Sequence, residues 1–423
     1  QKLNGPTAPA EEILIKSVND YTDNEIISAE VNKIFYDHPV PIALSAELKE
    51  NNCYKATKAI DTPLLITRDE NGVARVFINI CKHRGAPVCP EGSGKKSKFN
   101  CTYHGWMYNN KGNLINIFKS DTFGDIDTTK IKLTELFCEE KSGFIWTCLN
   151  PDIEYNLSEW MNGFDSELDD INLKNWHIFK SKTLEGPRWK ICWDGYLDGY
   201  HHHMVHPETV GKNTIVNLIA HDTYGPHQRF AFGLKNINEL AEIDEKDWEP
   251  ENHIRLIHSV FPNGSVSAIQ NQHCLVSIVF PTSDLQGTTT TQYILCLNEP
   301  KTKQQIKDAK DFSELAEKAR IATLQETDDW FDKVTINKNM KSFLFLFAFL
   351  PLSIFSEIDI TTIDSFRIVN AGSHMLLVKK YSENPQSDNG FIFHVKRPHC
   401  FADQPSFVMY SPDSEDFDEL EEG

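Results

Sequence analysis

Cys81 and His83 are separated by one lysine, and Cys101 and His104 by Thr102 and Tyr103; residues 84–100 lie between the two pairs. One thiol and one imidazole from each of two loops can hold a [2Fe–2S] cluster, two thiolates on one iron and two imidazoles on the other. Replacing two anionic thiolates by neutral imidazoles raises the reduction potential, which suits a centre that accepts electrons singly and passes them on. Gly85 and Gly105 let the backbone come close to the sulfurs, and the Trp106 indole can roof the site against water. The same residue types also bind zinc. Zinc sites usually group two cysteines and then two histidines, whereas each pair here mixes the types, so iron–sulfur chemistry fits better.

A second dense group runs from Trp189 to Pro207 (WKICWDGYLDGYHHHMVHP) and contains Asp194, Asp198, His201, His202, His203 and His206. Two imidazoles and a carboxylate on one face can hold a ferrous ion with coordination positions left open. On a regular helix, i,i+4 spacing favours His202 with His206. The five-residue step from His201 to His206 advances about 500°, roughly 140° net. Pro207 disfavours helical geometry at His206 and weakens that objection.

The loops C-K-H-R-G-A and C-T-Y-H-G-W resemble those of the Rieske non-haem iron oxygenases, the aromatic-ring-hydroxylating dioxygenase α-subunit family. The likeness extends from the lead-in Val73–Asn79 through Trp106–Leu114. Respiratory Rieske proteins carry a further cysteine after each pair, and those two form a disulfide. Ala86 and Tyr103 hold these places here, which implies a low-potential cluster feeding an oxygenase. The resemblance implies that Cys81, His83, Cys101 and His104 bind a [2Fe–2S] cluster and that His201 and His206 bind mononuclear Fe(II). His202 and His203 would then line the pocket, Asp194 would be structural, and Tyr200 structural or within reach of substrate. Asp198 would hydrogen-bond both to His201 and to His104 of a neighbouring subunit, carrying electrons across a head-to-tail ring, typically a homotrimer. A small β subunit can accompany such a ring.

The family takes its third iron ligand from an acidic pair on a late helix. Glu326-Thr-Asp328-Asp329-Trp330 is the matching place, with Asp329 preferred to Asp328 and a solvated helix end as the plain alternative. Residues 336–423 are only loosely similar to the family. The implied activity is that of a terminal oxygenase component. It would use O2 and electrons relayed from NAD(P)H through a reductase, a ferredoxin or both to hydroxylate a small organic, aromatic substrate. The phrase from Trp189 to His201 also looks like that of relatives acting on quaternary amines, so a monooxygenase or demethylase of N- or O-methyl groups is the alternative. An electron-transfer protein without oxygenase activity is a third reading. No G-x-G-x-x-G follows a strand, so nicotinamide and flavin are expected on a partner.

The elements that must position these groups follow from periodicity. Asn24–Phe35 puts Ile26, Ile27, Val31, Ile34 and Phe35 on one helical stripe. Short strands are expected at Pro63–Thr67, Ala74–Asn79, Lys98–Phe99, Leu114–Ile117 and Gly143–Thr147, with both ligand pairs on hairpin tips. Leu157–Met161 reads as a helix. Strands follow at His253–Phe261, Ser265–Ile269, Cys274–Phe280 and Thr288–Leu297, and a helix over Pro300–Trp330 with Ala309, Phe312, Leu315, Ala316 and Ala319 as its apolar face. The expected class is α+β: a small all-β Rieske domain plus, from the resemblance, a helix-grip (START/Bet v1-like) catalytic domain with an antiparallel sheet. The expected division is a helical arm over 1–44, the Rieske domain over 45–155, the catalytic domain over 156–410 and an acidic tail over 411–423.

The 423 residues suffice for two domains, and a net charge of −19 argues against nucleic acid as a partner. Ten cysteines without a paired pattern suit a reducing compartment, and the N-terminal stretch has no apolar signal core, so a cytoplasmic location is expected. The run Phe343–Phe355 is apolar, yet it is interrupted by Pro351 and shorter than the ~20 residues a bilayer requires. It is expected to be a fully buried strand or strand pair, in preference to a membrane-surface contact, with no membrane span in the chain.

Overall fold

The computed structural model describes residues 15–199, 201–270 and 272–336, and the strands Ser342–Leu344, Phe366–Ala371, His374–Lys379, Ile392–His394 and Val408–Tyr410; the side chains from 322 onward are outside the described set. The apolar stripe of the arm forms as its periodicity dictates. Asp23 caps the helix Asn24–Glu30 by accepting from the Glu25 N–H at 2.8 Å, and a π-type turn continues it over Val31–Tyr36. Ile27, Val31, Ile34 and Phe35 are buried in the main core.

Three small antiparallel sheets build the first half. The largest runs Glu135–Leu136, Ala74–Ile78, Thr62–Arg68, Cys53–Ala59, Gly92–Lys95 in spatial order. A second joins Cys138–Lys141, Phe144–Thr147 and Val40–Leu44, and a third Lys98–Asn100, Met107–Asn109 and Leu114–Asn116. The second ligand pair sits at a hairpin tip, between Lys98–Asn100 and Met107–Asn109. The first does not. Its loop leaves Ala74–Ile78 and enters Gly92–Lys95 beyond two intervening strands, so it is a crossover rather than a hairpin turn.

A seven-stranded antiparallel sheet forms the second half, in the order His177–Gly186, Thr288–Cys296, His273–Pro281, Gly264–Gln270, Ile254–Val260, His227–Leu234, Thr214–Tyr224. The first two strands in sequence are its two edges, so residues 187–213 must cross the whole sheet. Six strand spacings of about 4.8 Å set that span. The helices Trp189–Leu197, His202–Val205 and Val210–Asn213 make the crossing, and the 34-residue helix Lys303–Ile336 returns over the strands near the other edge. Helices laid across one curled antiparallel sheet are the helix-grip arrangement. Its dense cluster of metal-capable residues therefore rides on the segment that the topology forces across the sheet.

Of the apolar run from 343, only Phe343–Leu344 is described, in a strand paired with Ile15–Ser17; the rest, and the acidic tail, lie outside the described residues. No described helix is long and apolar enough to cross a membrane.

Candidate metal centres

The two Cys/His loops share one backbone pattern although their histidines sit at different offsets. Cys81 N–H donates to Ala86 O at 2.8 Å and Gly85 N–H to Cys81 O at 3.0 Å; Cys101 N–H donates to Trp106 O at 2.8 Å and Gly105 N–H to Cys101 O at 3.0 Å. Both glycines have positive φ, +76° and +69°, which an L side chain rarely adopts and which closes each turn over its cysteine. Cys81 and Cys101 are buried in a second, smaller core with Phe77, Phe99 and Tyr108, while His83 and His104 stay half-buried at its rim. The His83 and His104 rings are 4.6 Å apart, and Trp106 stacks on His83 at 4.8 Å with the planes 5° apart, the roof expected of it.

Burial raises the Cys81 thiol above its ordinary value, the Tyr108 hydroxyl 3.4 Å away lowers it, and neighbouring Cys101 raises it further. Two thiols held so close and so dry become thiolates only with a cation between them. Among the described residues the buried His83 Nδ1 has no hydrogen-bond partner, although the ring faces a second imidazole. An orphaned ring nitrogen beside two buried thiols fits a metal cluster and fits no internal hydrogen-bond scheme.

The second constellation comes together where the crossing helix breaks. Trp189–Leu197 ends at Asp198, one helical turn forms over His202–Val205, and His206 leaves helical geometry at φ −119°, ψ 42° in front of Pro207. The break brings His201 and His206 to 5.1 Å between ring centroids, against 6.0 Å for His202 and His206. Asp198 Oδ2 lies 3.3 Å from His201 Nδ1 and is 46% exposed. His201, His202 and His206 all line a cavity of about 180 Å³, together with Ile191, Ile257, Leu275 and Phe312. His203 is exposed and does not line it.

Burial pushes His202 down to about 3 and His206 down to about 4, reinforced in each by neighbouring His201. Both rings are therefore neutral near pH 7, the form in which imidazole binds a metal. Among the described residues the buried Nδ1 of His202 has no hydrogen-bond partner. Among the described residues, no three His, Cys, Asp or Glu side chains already converge on one point; the approaches are pairwise. Asp328 and Asp329 lie on the helix Lys303–Ile336, with side chains outside the described set, and Tyr200 lies outside the described residues altogether. Phe312, Leu315, Ala316 and Ala319 of that helix line the cavity, and Ala309 is buried.

Three contributors carried little sequence signal. Asn79 clamps the first loop, its Oδ1 accepting from Val88 and Cys89 N–H and its amide donating to Cys89 O. Tyr108 donates toward the Cys81 sulfur from the strand that follows the other loop. Arg255 lines the cavity from the strand Ile254–Val260. A charged residue alternating with Ile257 on the inward face of a strand was the available clue.

Residues 38–128 match the Rieske [2Fe-2S] domain family, and residues 173–388 match the family of the ring hydroxylating alpha subunit (catalytic domain). Choline monooxygenase of Beta vulgaris is 32% identical over 204 residues, covering 47% of this chain and 45% of that protein. Chlorobenzene dioxygenase subunit alpha of a Cupriavidus strain is 28% identical over 186 residues, covering 42% and 41%. The carnitine monooxygenase oxygenase subunit of Acinetobacter pittii is 28% identical over 244 residues, covering 55% and 63%. The chain spans about half the length of the curated relatives it matches. Among solved structures, the quaternary ammonium Rieske monooxygenase CntA with L-carnitine superposes with a TM-score of 0.68 at 22% identity, over 79% of this chain and 89% of that one. Naphthalene 1,2-dioxygenase from Rhodococcus gives 0.58 at 20% identity, over 74% and 83%. At these identities the superpositions carry the fold. The catalytic-domain match alone takes in half of the residues, and the protein belongs to the ring-hydroxylating alpha-subunit family, with a Rieske domain for a [2Fe–2S] cluster ahead of a catalytic domain for mononuclear iron.

Proposed function

We propose that this chain is the terminal oxygenase component of a multi-protein system, taking electrons from NAD(P)H by way of a reductase, a ferredoxin or both. The observation that carries the reading is the pairing of His201 with His206 at the wall of an apolar cavity, in a chain that also folds two matching Cys/His loops. When bound, the cluster supplies electrons one at a time and the ferrous ion supplies the activation of O2. In this reading Cys81, His83, Cys101 and His104 hold the cluster, and His201, His206 and Asp329 hold the iron. Trp106 keeps water off His83, and the apolar cavity wall keeps it from the reacting face. Asp198 fixes the tautomer and orientation of His201 through the contact at Nδ1.

The same reading divides the chain into an electron-receiving unit over 45–155 and a catalytic unit over 156–410, and assembles it head to tail as a cytoplasmic homotrimer, with or without a β subunit. Exposed apolar side chains beside each centre support such contacts: Tyr103 and Phe118 near the cluster loops, 60% and 62% exposed, and Met204 beside the histidine cluster, 81% exposed. Asp198, half-exposed at the surface of the same segment, would in this arrangement meet His104 of a neighbour.

For the substrate, hydroxylation of an aromatic ring has the support of relatives named for chlorobenzene and toluate. Monooxygenation of a quaternary amine has that of relatives named for choline, glycine betaine and carnitine. The test of the oxygenase reading is iron analysis combined with O2 uptake driven by a surrogate reductase. About three iron atoms per chain and substrate-dependent O2 uptake are expected. About two irons and no uptake with any substrate would identify an electron carrier instead.

A further inference from the structure

Arg255 is 8% exposed and lines the cavity alongside His201, His202 and His206. Its Nε is buried with no hydrogen-bond partner, and no described side chain forms an ion pair with it. Among the described residues lining the cavity there is no aspartate or glutamate, whereas a second guanidinium, Arg320, lines it too. Among the described residues the Arg320 Nε likewise has no partner, and one terminal nitrogen donates to the Glu185 carbonyl at 3.2 Å. Arginine cannot shed its proton at any ordinary pH, so burial does not neutralise it as it neutralises the nearby histidines. Burial holds the Arg255 guanidinium below its ordinary value, with no charged group among the described residues opposing. Elsewhere the fold gives its buried arginines partners: Arg188 donates to the Tyr21 and Thr22 carbonyls and to the side chains of Asn24 and Gln286. Arg68, equally inaccessible, makes two 2.7 Å bonds to Glu140. A desolvated, unpaired guanidinium is costly to keep, and the group that would relieve it is an anion presenting two oxygens in one plane.

We propose that Arg255 anchors a carboxylate of the substrate, so that the substrate is a small organic acid seated between Arg255 and the His201/His206 pair. This deepens the oxygenase reading and rests on it for the identity of the cavity. Ile191, Ile257, Leu275 and Phe312 accept the rest of the molecule. Arg320 adds positive potential to the same cavity. A substrate that is a cation without a carboxylate would meet two positive charges there, since the Asp329 carboxylate is in this reading engaged with the iron.

The test is calorimetric titration of the iron-loaded protein with benzoate, phenylacetate and trimethylglycine, each against its carboxamide. At least one acid should bind about tenfold or more tighter than its amide, as a charge-assisted bidentate contact implies. Arg255→Met should abolish that preference and leave amide binding within about twofold, while Arg255→Lys keeps part of it. Equal affinity for acid and amide, binding by none of the three acids, or a Met variant that weakens both ligands alike would overturn the assignment. So would a Met variant that unfolds at a lower temperature with the preference for acids intact, since Arg255 would then serve an internal carboxylate. The titration needs no turnover. Acid preference without O2 uptake would sink the oxygenase reading and leave the anchor standing; uptake without acid preference would do the reverse.

Discussion

Asp198 occupies the position of greatest leverage for its size. It touches His201 at 3.3 Å yet keeps nearly half its side chain in solvent, which suits a group that serves a partner on each side. Asp198→Asn preserves shape and hydrogen-bonding capacity while removing the charge that sets the histidine tautomer. Iron content should stay at the wild-type level while single-turnover rates fall about 10- to 100-fold. An unchanged rate would remove Asp198 from the electron path. His202 differs in kind. It is buried, neutral and cavity-lining, and its ring stands 5.5 Å from Phe232, so a wall is a better description of it than a ligand.

At the level of elements, the single turn His202–Val205 is kept in register by the glycine that follows it. Gly211 N–H donates to His206 O at 2.9 Å, and a Cβ at Gly211 would overlap the His202 carbonyl and stand 2.9 Å from the His206 oxygen. Gly211→Ala should therefore push the turn away and release the mononuclear iron while the distant cluster stays. Metal analysis should drop from about three irons per chain to about two, with the cluster absorption intact. Retention of all three would mean that the turn yields without moving its histidines. Gly199 has a matching role on the other side, where a Cβ would overlap the Phe232 ring.

For the whole molecule, the proposed head-to-tail ring makes a strong prediction about mixtures. Cys81→Ser lacks an intact cluster site and His206→Ala lacks an intact iron site, so each alone should be inactive. Co-expressed, some subunit boundaries join a working cluster to a working iron, and activity should return in part. No recovery would mean that electrons stay within one chain. Global stability carries a separate signature in the histidines of the main core. Burial pushes His227 down to about 3 and His258 down to about 4. Their folded values lie below the unfolded one, so the unfolded chain takes up protons first. The stability they allow is whole above about pH 6.5 and is lost as pH falls through that value towards 4 and then 3. His258→Asn should make the loss in urea-measured stability between pH 7 and pH 5 smaller by about 2 kcal/mol. Equal losses in variant and wild type would show that His258 is not buried in its neutral form.

Local chemistry was legible from the chain itself. Cys81, His83, Cys101 and His104 announce themselves because a cluster needs those residue types within reach of one another, and short loops make sequence distance a proxy for space. Strands such as Thr62–Arg68 and His273–Pro281, and the long helix from Lys303, follow from period and length. The edge strands His177–Gly186 and Thr214–Tyr224 were not legible: the first is largely polar and exposed, and the second gathers its apolar residues at 215–216 and 218–220, so neither shows the alternation that marks a one-sided strand. With them went the reason the histidine segment crosses the sheet, and with that the cavity. The choice among His201, His202 and His206 was likewise undetermined by spacing, since it turns on the ψ of one residue before Pro207. Arg255 shows the limit most plainly. In sequence it is one charge on a strand, and only the sheet that buries it, without a described carboxylate beside it, turns it into a place for a ligand.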